Sequence, residues 1–140
     1  MQYTKETWPT ERWEHFSFDE MKCKHSGLCD MNEAFMDKLE ELRVVSNYGL
    51  AVSSGYRDKT HPIEAKKISE GGGMGGAHTT GKAVDLVVSH KRAFIVLREA
   101  MRLGFTGIGV KQQGDARFLH LDTIGDQDNF HAPRPTLWSY

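Results

Sequence analysis

Gly75-Gly76-Ala77-His78-Thr79-Thr80-Gly81-Lys82-Ala83-Val84-Asp85 is the stretch on which the reading of this chain turns. It follows Gly71-Gly72-Gly73 and runs into Leu86-Val87-Val88. A glycine-rich loop thus delivers a histidine, and the apolar segment after it carries an aspartate seven positions later. Imidazole and carboxylate suit Zn2+, and a catalytic zinc usually takes three protein ligands and one water. Glycine lets the backbone approach an ion or substrate closely, because it has no side chain and tolerates positive φ. A third ligand must come from elsewhere, and the best candidate is His120 in Phe118-Leu119-His120-Leu121-Asp122.

Working outward, Ala83 to Val88 reads as a near-continuous apolar strand carrying Asp85. Ser89 then caps a helix from about His90 to Leu103, with Phe94, Leu97 and Met101 on one face and Gly104 as its stop. Thr106 to Val110 and Arg117 to Thr123 read as a hairpin. The tail from Gly125 to Tyr140, with two prolines and Trp138, is expected to pack irregularly across the sheet. Upstream, Leu50 to Ser54 reads as a strand closed by Gly55, presenting Tyr56 and Arg57 at its end. Asn32 is the expected cap of a helix from Glu33 to Ser46, in which Phe35, Leu39, Leu42 and Val45 recur at helical spacing. Asp58 to Glu70 is expected to be a loop with one helical turn after Pro62, and the glycine run a flexible loop bordering a cleft.

Residues 1–15 read as an N-terminal arm with Trp8, Pro9 and Trp13 as anchors, and residues 16–140 as a single domain. At 140 residues, with 39% apolar and 26% charged positions, the chain is sized and composed for one hydrophobic core. A formal net charge of -1 gives no polyanion-binding signature, so no nucleic acid partner is expected. No apolar run approaches the length of a membrane span, so no membrane partner is expected either. Met1 to Trp13 has no apolar region of the signal-peptide kind. The expectation is synthesis in the cytoplasm, with any exit by lysis or by a device the sequence does not show. Cys23 and Cys29 make no disulfide framework, and they are read as part of a structural loop with reduced thiols or a local disulfide.

His120 and Asp122 stand two apart on an expected strand, so they share a face. Asp122 is therefore placed either as general base for a metal-bound water or as the group that orients His120. Asp115, in the preceding turn, is the other candidate base. Arg57 suits a clamp on a substrate carboxylate or a developing oxyanion. Taken singly, each has an ordinary alternative: His78 as a solvated loop residue, Asp85 as a capping or ion-pair carboxylate, His120 as a core histidine, Arg57 as half of a surface ion pair. His15, His25, His61, His90 and His131 are read as surface residues.

Taken jointly, Ser54-Gly55-Tyr56-Arg57, His78-Thr79-Thr80-Gly81-Lys82-Ala83-Val84-Asp85, Gly107-Ile108-Gly109-Val110 and Phe118-Leu119-His120-Leu121-Asp122 occur in one order. In that order they resemble the zinc D-alanyl-D-alanine carboxypeptidase and L-alanyl-D-glutamate endopeptidase family of peptidoglycan peptidases. The family includes phage endolysins and shares its fold with the hedgehog signalling domain. The resemblance covers about residues 16 to 138. It implies zinc bound by His78, Asp85 and His120, with Arg57 binding substrate and stabilising the transition state. It also implies an α+β fold, a small mostly antiparallel sheet forming the cleft with helices packed on the other side. The implied activity is hydrolysis of amide bonds in peptidoglycan stem peptides, as carboxypeptidase or endopeptidase. The implied setting is lysis-type release or a phage particle. Two positions depart from parts of the family: Arg117 stands where several members carry an acidic base, and Phe118 where several carry a histidine. Asp122 is then the first choice of base and Asp115 the second. The alternative is a non-catalytic zinc-dependent module of the same fold that binds wall peptides or a protein.

Overall fold

The computed structural model describes residues 1–71 and 73–140; Gly72, in the expected glycine loop, lies outside the described residues. The chain runs α1 (Phe18–Met21), α2 (Glu33–Ser46), β1 (Ala51–Ser54) and α3 (Pro62–Ser69). A 3-10 turn (Ala77–Thr80), β2 (Ala83–Val87), α4 (His90–Arg102), β3 (Gly107–Lys111) and β4 (Phe118–Asp122) follow. A second 3-10 turn (Asp126–Asp128) and β5 (Thr136–Ser139) complete it. The fold is α+β, and its sheet has the order β1-β2-β4-β3-β5. The first three pairings are antiparallel and β5 joins β3 in parallel, so the sheet is mixed.

Strand alternation explains the two faces. Val84, Leu86, Leu119, Leu121 and Ile108 enter the core, where α4 packs on β4 and on α2. Asp85, His120 and Asp122 take the other face. The register lines up Ser54, Asp85, His120, Gly109 and Trp138 across the five strands. The neighbouring row is Ala83, Asp122, Gly107 and Thr136. Two glycines on β3 make room for what lies over them. A Cβ on Gly107 would overlap the Asp122 carboxylate, and one on Gly109 would press into the Trp138 indole.

The arm is welded to the domain. Tyr3, Trp8 and Trp13 form an edge-to-face cluster, with ring centroids 4.9 to 5.5 Å apart. Trp13 is fully buried. Its indole N–H donates to Asp37 on α2, which also accepts a forked pair from Arg12. Cys23 and Cys29 are both buried and unpaired, and burial pushes the Cys29 thiol up to about 11.

Four expectations are corrected. α3 is eight residues long rather than one turn, because His61 caps it by accepting from the Ile63 N–H and Pro62 presets its first φ. On α2, Val45 is exposed and Met36 takes a core place. On α4, Phe94 and Met101 are 68% and 60% exposed, while Ala93, Val96 and Ala100 are buried. Both stripes have helical spacing, and close packing of α4 on α2 and β4 selects the one with small side chains. The tail is not irregular throughout: Thr136–Ser139 is β5, and Lys82 ties Asp128 of the tail to the start of β2.

Replacing Gly107 by Ala is expected to destabilise the protein by about 1–3 kcal/mol, because the buried carboxylate beside it must move. Urea unfolding of the variant and the wild type checks this.

Candidate metal centre

Each candidate ligand is held by its backbone before any ion is considered. His78 sits in the 3-10 turn between Gly76 and Gly81. Gly81 has φ 74°, and a Cβ there would run into the Asp30 carbonyl, so this position suits glycine. The Arg57 N–H donates to the His78 carbonyl at 3.1 Å, joining the turn to the chain leaving β1. Asp85 and His120 are cross-strand partners on β2 and β4.

Three donor atoms converge. Asp85 Oδ1 lies 3.3 Å from His78 Nε2 and 3.1 Å from His120 Nδ1. Four ligands at about 2.0 Å in a tetrahedron stand about 3.3 Å from one another, so this spacing fits zinc. The opposite nitrogen of each ring is committed elsewhere. His78 Nδ1 donates to the Gly55 carbonyl at 2.8 Å. A carbonyl only accepts, so Nε2 keeps its lone pair for a metal. His120 Nε2 donates to Asp122 Oδ2 at 2.8 Å, which frees Nδ1 in the same way. The residues present fit zinc by donor type, spacing and tautomer.

In their protonated forms the two rings also donate to Asp85: burial disfavours its carboxylate, but hydrogen bonds from His120 and His78 outweigh this and hold its pKa well below the usual carboxylate range. Burial likewise disfavours charged His120, yet its bonds to Asp122 and Asp85 raise its pKa above the ordinary 6.5. Asp122 is lowered, its burial outweighed by His120 and Arg134.

The centre lines a cleft of about 730 Å³, within the usual range for a ligand site. Arg57, Lys67, Gly75 and Gly76 line part of it, and Phe118, Phe130, Trp138 and Tyr140 another part. Asp122 is adjacent but not in the lining. It is fully buried, and all of its acceptor positions are used: Oδ1 takes N–H bonds from Ile124 and Arg134, and Oδ2 from His120 and Arg134. Asp115 is exposed in the turn between β3 and β4, beside a different depression lined by Ser89 and Arg117. The structure therefore gives Asp122 the contacts of an orienting group, and it keeps Asp115 out of the cleft lining.

Two side chains with no signal in the sequence pattern belong to the site. Glu64 is fully buried on α3. Its Oε1 accepts from the Gly76 N–H at 2.7 Å and its Oε2 from Arg57 Nη1 at 3.2 Å. It ties the glycine loop and the arginine to one helix, but in sequence it looks like an ordinary first-turn acid. Arg134 sits in the proline-containing tail, which has no periodicity to place it. Among the surface histidines, His15 pairs with Glu40 and is not part of the cleft lining, and His61 is the cap of α3.

A family model described as Peptidase M15 matches residues 14–122. No curated protein and no solved structure matches the chain.

Wild-type protein is expected to hold about one zinc per chain by elemental analysis, and His78→Ala and His120→Ala to hold almost none. Folded wild-type protein that takes up no zinc would contradict the assignment. A proton and zinc compete for His120 Nδ1, and the raised pKa lets the proton persist to higher pH. Zinc affinity should therefore begin to fall already above pH 6.5 as the solution is acidified, in a chelator-competition titration.

Proposed function

Because the chain belongs to the peptidase M15 family, we propose that it is a zinc peptidase that hydrolyses an amide bond in peptidoglycan stem peptides. His78, Asp85 and His120 are the proposed zinc ligands. The observation that carries this reading is the convergence of their three donor atoms, with both spare imidazole nitrogens already engaged. Bound there, zinc supplies a Lewis acid that polarises a carbonyl and lets water ionise near neutral pH.

The chain's own residues supply orientation and charge. Arg57 lines the cleft with one guanidinium nitrogen anchored on Glu64. Its remaining N–H groups suit the carboxylate of a stem peptide, or the negative charge that builds on the scissile oxygen. Glu64 holds the loop carrying Gly76 against Arg57, which fixes the distance between the arginine and His78. Asp122 keeps His120 in one tautomer. Rings of Phe118, Trp138 and Tyr140 give part of the cleft an apolar, aromatic wall. The proposed substrates are short wall peptides containing D-amino acids.

One observation favours the second reading, a zinc-dependent module that binds wall peptides or a protein without cutting them. Among the described residues lining the cleft, Asp85 is the only carboxylate, and hydrolysis needs a proton acceptor within reach of the attacking water.

The test is to incubate zinc-loaded protein with purified peptidoglycan and with synthetic stem peptides, following new amino groups and product masses. Cleavage that is lost on chelation and restored by zinc is the expected result. Zinc-dependent retention on the wall without any product would replace the peptidase by the binding module. Asp122→Asn is expected to lower zinc affinity about 10- to 100-fold, with activity falling in step with occupancy. Full zinc occupancy with hydrolysis abolished would instead make Asp122 the base.

A further inference from the structure

The segment 125–140 lies beyond the residues that match the family, yet it lines the same cleft as the candidate ligands. Its Arg134 grips Asp122 with two nitrogens, Nε at 3.0 Å from Oδ1 and Nη2 at 2.9 Å from Oδ2. This is the planar, forked arrangement that a guanidinium makes with a carboxylate and an ammonium cannot. The Arg134 side chain is only 8% exposed. Its guanidinium carbon lies 5.4 Å from the centroid of the Phe130 ring and 5.2 Å from that of Trp138. The Trp138 ring in turn lies 5.2 Å from His120, over the space that Gly109 leaves open. Ring contacts and a fork thus hold Arg134, the fork holds Asp122, and Asp122 holds His120.

The geometry points to Arg134 as a positioning residue for the metal centre, acting on the ligand His120 through Asp122. An unpaired Asp122 carboxylate in this buried place would be free to rotate toward any other donor. That change removes the acceptor that keeps Nε2–H of His120 pointed away from the metal and Nδ1 toward it. The fork removes that freedom by occupying one acceptor position on each oxygen and leaving one for His120 and one for the Ile124 N–H. The tail after β4 is therefore part of the centre, though it supplies no candidate ligand.

This inference rests on the zinc reading above and not on hydrolysis, so zinc affinity is the quantity to measure. Chelator competition gives the zinc dissociation constant of the full chain, and the visible spectrum of the cobalt-loaded protein reports coordination geometry. Arg134→Gln is expected to weaken zinc about tenfold or more and to alter the cobalt spectrum. Arg134→Lys keeps the charge but loses the fork, and should recover only part of the loss. In an Asp122→Asn background, Arg134→Gln should cause no further loss, because the route through Asp122 is already cut. That double variant also carries no unpaired buried charge, so it serves where Arg134→Gln alone does not fold. Unchanged affinity and spectrum in Arg134→Gln would overturn the inference, as would equal losses from Arg134→Gln in both backgrounds. Wild-type protein that binds no zinc would overturn the zinc reading itself and this inference with it.

Discussion

The antiparallel register of β2 against β4 is the constraint on which the rest of this structure depends. It sets Asp85 opposite His120 and Ala83 opposite Asp122. The side-chain period of a strand is two, so a slip of one residue would send Asp85 into the core and Val84 or Leu86 into the cleft. The apolar faces prevent this. Val84, Leu86, Leu119 and Leu121 are buried, and their burial stabilises only the observed pairing. The candidate metal centre is thus held in place by the hydrophobic side of the same two strands. The next strand continues the logic with absences: Gly107 and Gly109 carry no side chain where Asp122 and Trp138 need the volume.

Behind the cleft, two buried carboxylates play parallel parts. Asp122 stands behind His120 and is gripped by Arg134, while Glu64 stands behind Arg57 and the Gly76 N–H. Burying a carboxylate is costly unless its oxygens are satisfied. Among the described residues no buried side-chain nitrogen or oxygen lacks a partner. The result is a site whose functional side chains are fixed by anionic groups that are themselves fixed. Such an arrangement orients ligands without a metal having to organise them.

The candidate ligands were legible because each sits in a local pattern with its own physical reason. His78 follows a glycine-rich run, Asp85 interrupts an apolar strand, and His120 and Asp122 alternate on another. The face of α4 was not legible in the same way. Phe94, Leu97 and Met101 have the right spacing, but so do Ala93, Val96 and Ala100, and periodicity gives the interval without the phase. Closeness of packing chose the small stripe. Strand alternation already ranked Asp122 ahead of Asp115 in the chain, and the fold adds that Asp115, in the turn of the hairpin, lies outside the cleft lining. Arg134 and Glu64 had no local pattern at all.

By itself, the sequence determined the strands that carry the candidate ligands, and its resemblance to a known family implied the α+β class. The strands follow from spacing, alternation and the few residues a tight turn accepts, all of which act over a handful of neighbours. Only the tertiary structure decided which helix face is buried, that the tail ends in a fifth strand, and that Asp122 is enclosed by His120 and Arg134. Those outcomes depend on which distant surfaces meet and on the volume left between them, and the order of residues along the chain does not encode either one locally.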